Sequence, residues 1–118
     1  MEANYKILKT MSLVELSINV MKEYLPLVSS KSELLLKVEP YKKNIEKFME
    51  KVNIKDECDI FRFIYNFTSL VDVKGIKGGA NDFLMEVYNN YINNKDEEEW
   101  LKEELKEFKE GVYDVISY

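Results

Sequence analysis

Apolar residues recur along this chain at the three-to-four-residue spacing of helices. Leu13, Leu16, Val20 and Tyr24 follow that period, and Pro26, which lacks a backbone N–H, marks its stop. Ser12 and Glu15 form a capping box ahead of it, each side chain able to satisfy the other's free backbone N–H. Tyr5, Leu8 and Met11 share the same spacing and predict an earlier turn or short helix. Ser30 and Glu33 repeat the capping pattern. Leu34, Leu35, Leu36 and Val38 then run without clear period, so helix and buried strand both stay open there.

Pro40 suits the first position of a following helix, where a missing N–H costs nothing. Tyr41, Ile45, Phe48, Met49 and Val52 supply its apolar face. Asp56, Glu57 and Asp59 precede Ile60, Phe61, Phe63, Ile64, Phe67 and Leu70, which places acids at the positive end of a helix with a wide apolar face. This segment is the expected central helix. Gly75, Gly78 and Gly79 interrupt the pattern, and Val71 with Val73 leaves room for a brief extended stretch. Asn81 or Asp82 can cap a helix carrying Phe83, Leu84, Val87, Tyr88, Tyr91 and Ile92. A last helix is expected from near Asp96, with Trp100, Leu101, Leu105, Phe108, Val112 and Ile116 inward and Gly111 as a kink or early end.

The expectation is an all-α fold: a single domain over residues 1–118, packed as a bundle of five to six helices. One short extended segment is allowed near 34–38 or 71–76. A chain of 118 residues, 46% hydrophobic and with only two prolines and four glycines, has the apolar content for one core and too few turn residues for a sandwich or barrel.

Composition excludes whole classes of chemistry. Without histidine there are no histidine triads, histidine bases or histidine metal ligands, and the one cysteine, Cys58, can complete neither an intramolecular disulfide nor a Cys/His zinc site. No basic leader with an apolar stretch and no membrane-length apolar run is visible, so a cytoplasmic protein without cofactor or metal is expected. An enzyme would have only carboxylates, lysines, tyrosines and hydroxyls to work with, and a non-enzymatic binding role is the expectation.

Two charge patterns remain. Residues 96–110 hold eight acids against three lysines, a local balance of −5 that equals the net charge of the whole chain. Such a helix is either a solvated face laced by pairs such as Glu98 with Lys102, or a strip that docks a basic surface. Glu99, Glu103 and Glu107, with the adjoining Tyr88 and Tyr91 among asparagines, are the candidate protein-binding residues. The partner would be a protein with a basic surface, belonging to a larger assembly, such as one that handles nucleic acid, that this chain regulates or inhibits.

The second pattern is lysine-based. Lys43, Lys47 and Lys51 recur every four residues, interleaved by Glu46 and Glu50, and Lys74 and Lys77 stand in the glycine-rich connector. They are the candidates for contact with an RNA or DNA backbone inside a nucleoprotein complex, the alternative function. The connector matches no Walker motif, and Arg62 is the only arginine, which argues against reading of guanine edges. Asp56, Glu57 and Asp59 suit helix-start charges better than metal ligands, and Cys58 suits a buried thiol.

Overall fold

The computed structural model describes residues 13–21, 30–93 and 98–116. Tyr5, Leu8, Met11, the Ser12 half of the first capping box, Tyr24, Pro26 and Asp96 lie outside them. So do the side chains of Phe108, Val112 and Ile116. All elements among the described residues are helical: α1 over 13–21, α2 Lys31–Val38, a 3-10 turn Glu39–Tyr41, α3 Lys42–Lys51, α4 Glu57–Lys74, α5 Ala80–Asn93 and α6 Glu98–Ile116.

Neither allowed extended segment forms. Residues 34–38 belong to α2, opened by Ser30, whose hydroxyl accepts from the Glu33 N–H at 3.3 Å. Only Leu34 and Val38, one turn apart, are buried there; Leu36 stands exposed. Residues 71–74 continue α4, because Phe67, Leu70 and Val71 share its inward face while Val73 points out. Gly75 ends the helix at φ +70°, a region that L side chains rarely adopt, and donates its N–H to Val71 C=O at 2.8 Å.

Three further expectations shift by a few residues. Pro40 falls inside the 3-10 turn instead of opening α3, because its ring and missing N–H interrupt the α ladder. α5 begins at Ala80, with Phe83 N–H bonded to Gly79 C=O, so Asn81 and Asp82 occupy its first turn and do not cap it. α6 runs past Gly111 to Ile116 without ending there.

α4 is the centre. Eleven of its residues are buried, including Cys58, on all sides of the helix, as required of an element flanked by α2, α5 and α6. Asp56 caps it, accepting from the Cys58 N–H at 3.1 Å and the Asp59 N–H at 3.4 Å, so this carboxylate is engaged in holding the helix start. α1 packs through a face centred on Ser17, with Leu13, Val14, Ile18 and Met21 buried around it; Leu16 is only partly covered. Ser17 is tolerated because α4 offers it a partner: Thr68 Oγ1 donates to Ser17 Oγ at 3.0 Å, and Ser17 donates to Val14 C=O at 2.8 Å.

Candidate functional site

The predicted protein-binding residues fall on two flanks of α4. α6 buries Leu101 and Leu105 and sets Trp100 edge-to-face on Tyr65 of α4, ring centroids 5.8 Å apart. That packing turns Glu99, Glu103, Glu107 and Glu110 outward, all exposed. Their spacing of four, four and three residues makes one row along the helix. Lys102 approaches Glu99 to 4.0 Å, with the Glu99 side chain 93% exposed, so water screens the pair.

Tyr88 and Tyr91 stand elsewhere. With Phe48 of α3 and Phe63 of α4 they close a four-ring cluster: Phe48 stacks on Phe63 at 5.7 Å, Tyr88 on Tyr91 at 5.9 Å, and Phe48–Tyr88 and Phe63–Tyr91 meet edge-on at 6.0 Å. Phe63 and Tyr65 lie two residues apart, about 200° around a helix. The tyrosine cluster and the glutamate row therefore flank α4 on different sides.

Arg62, the one arginine of the sequence, holds this cluster. It is 5% exposed, and its guanidinium lies 4.0 Å over the Tyr91 ring. Nη1 donates to the Tyr91 C=O at 3.2 Å in the last turn of α5, and Nη2 stands 3.5 Å from the Asp59 carboxylate. A cation at a helix C-terminus complements the dipole, and this contact ties the last turn of α5 to α4. Burial raises the Tyr91 phenol above the ordinary tyrosine value, partly opposed by the neighbouring Arg62 guanidinium.

The five lysines separate as well. Lys74 is committed to Glu86 of α5, a side-chain ion pair across the α4–α5 connection. Lys43, Lys47 and Lys51 are exposed along α3, and Lys77 is exposed in the connector. Lys47 and Lys51 join Asn44, Phe48, Asn81 and Met85 around a groove of about 180 Å³ between α3 and α5. Among the described residues no carboxylate lines it, and Glu86 is turned to Lys74.

Sequence reasoning missed this groove. Ile92 is 42% exposed and Met85 is 46% exposed. The available signal was a second stripe on α5, Asn81, Met85, Tyr88 and Ile92 at spacings of four, three and four.

Among the described residues no group of three acidic or sulfur side chains is placed to hold a metal ion, and no helix is long and apolar enough to cross a membrane. No protein-family model matches the chain, and no curated protein or solved structure matches it either.

Proposed function

We propose that this chain is a non-enzymatic docking domain that binds a basic surface of a protein partner through the outward face of α6. The observation that carries the reading is the exposed row Glu99, Glu103, Glu107 and Glu110 on a helix anchored from behind by Leu101 and Leu105. A rigid row some 11 residues long spans about 16 Å, enough to meet several cations at once. Several weak, screened contacts in register give orientation and fast encounter even where each contributes little. A regulatory or inhibitory role on a nucleic-acid-handling assembly fits this chemistry, since a carboxylate row competes for the cationic path that a phosphate backbone would follow.

The lysine alternative has less to support it. Lys74 already neutralises Glu86, and Lys47 and Lys51 rim a groove that Phe48 and Met85 also line.

The test is affinity capture with the tagged chain from its native cell extract, with mass spectrometry, repeated after nuclease treatment. The expected result is a stoichiometric protein retained through nuclease and lost when Glu99, Glu103 and Glu107 are all replaced by lysine. Retention by the triple variant would refute the α6 contact.

A further inference from the structure

We infer that the α3/α5 groove is a second docking site, independent of α6, that takes an acidic amphipathic helix from a partner protein. Three observations converge. The first is charge: Lys47 and Lys51 stand one turn apart on the groove's α3 rim, Lys43 extends their row by another turn, and among the described residues no carboxylate lines the groove.

The second is apolar exposure. Met85, 46% exposed, lines the groove beside Phe48, and partly buried Tyr88 and 42%-exposed Ile92 continue the same stripe of α5 outside its lining. A flexible, polarisable methionine in an open groove suits a partner side chain that inserts against it. The third is register. The Asn81–Met85–Tyr88–Ile92 stripe covers about 16 Å at helical intervals, the length over which a bound helix presents anchors at its own i, i+4 and i+7 positions.

Together these specify the occupant: apolar anchors against Met85, Tyr88 and Ile92, and glutamates or aspartates on the shoulder facing Lys47 and Lys51. A nucleic-acid strand matches the lysines but leaves the methionine and isoleucine without use. A second copy's α6 brings acids, but its apolar residues Leu101 and Leu105 are already buried.

The experiment is selection on the full chain from a displayed library of 16-residue helical peptides, randomised along one apolar stripe and both shoulders. Binding of the enriched peptides is then mapped by backbone amide chemical shifts. The expected outcome is enrichment of peptides with one acidic shoulder, shifts centred on Lys47, Met85 and Tyr88, and at least a tenfold loss of affinity in Lys47→Glu/Lys51→Glu and in Met85→Glu. The Glu99→Lys/Glu103→Lys/Glu107→Lys variant should bind them unchanged, which separates this site from the α6 contact. The inference is overturned if no peptide enriches, if enriched peptides are basic or bind away from the groove, or if only a single-stranded oligonucleotide shifts these resonances. The substituted positions are exposed, so unchanged circular dichroism and a single cooperative melting transition are expected to certify that each variant is folded.

Discussion

Arg62 is a buried cation, and each part of its guanidinium that finds a partner offsets some of the desolvation it suffers. The Asp59 carboxylate supplies the opposite charge, the Tyr91 carbonyl accepts a charged hydrogen bond, and the Tyr91 ring covers one face. Arg62→Ala should lower stability by about 2–3 kcal/mol, since the α5 end, the ring contact and packing are lost together. Asp59→Asn should cost under about 1 kcal/mol, because that carboxylate is partly in water. Urea unfolding of both variants checks the order; equal losses would mean that the ion pair, not the helix end, is what Arg62 serves. Tyr91 adds a pH dependence. Its phenol is raised by burial, so the folded state keeps a proton that the unfolded chain releases near pH 10. The stability Tyr91 contributes is complete below that value and declines as pH climbs through it toward the higher folded value. Denaturation midpoints at pH 9 and pH 11 should therefore fall less in Tyr91→Phe than in the parent chain; an equal fall would assign the alkaline loss to other groups.

Among elements, the α1–α4 contact depends on a relay in which each hydroxyl has a single proton to give. Thr68 donates to Ser17, Ser17 donates to Val14 C=O, and Thr68 has the Ile64 and Tyr65 carbonyls at 3.1 and 3.0 Å as substitutes. Ser17→Ala leaves Thr68 satisfied by its own helix, and Thr68→Val leaves Ser17 its carbonyl. Each single change should cost about 1 kcal/mol, and the double variant less than their sum by about 0.5 kcal/mol or more. Strict additivity in chemical denaturation would show that the two hydroxyls do not interact. This relay also marks what sequence can and cannot disclose. α4 was legible because its apolar run and acidic start depend on local order alone. Ser17 was not, since a polar residue on an apolar face is acceptable only when another helix brings it a partner from 51 residues away. Asn53 was missed for a related reason: its φ of +64° and the Ile54 N–H to Met49 C=O bond form a Schellman end for α3, and asparagine is the less common residue there. The glutamate row could be read from spacing. The groove needed α3 and α5 side by side, and the Lys74–Glu86 pair needed the connector's path.

For the whole molecule, the question is whether its uneven charge serves the fold or something outside it. Glu103 has Glu99 and Glu107 one turn away on either side and Lys106 as its one opposite neighbour at three residues. Two like-charge neighbours against one favourable pair make the wild-type residue a net burden on α6, since each such pair contributes about 0.2–0.5 kcal/mol. Glu103→Lys reverses all three signs without touching the buried Leu101 and Leu105. It should therefore raise the stability of the isolated chain by roughly 0.5 kcal/mol at low salt, with the gain shrinking as added salt screens the row. Thermal unfolding in 20 mM and 500 mM sodium chloride measures both effects. A gain that salt erases means that the chain carries a destabilising acidic row that the fold does not need, the pattern expected when a surface is kept for a partner. A loss at both salt concentrations would mean that Glu103 supports α6 itself, and the docking role would lose the feature on which it rests.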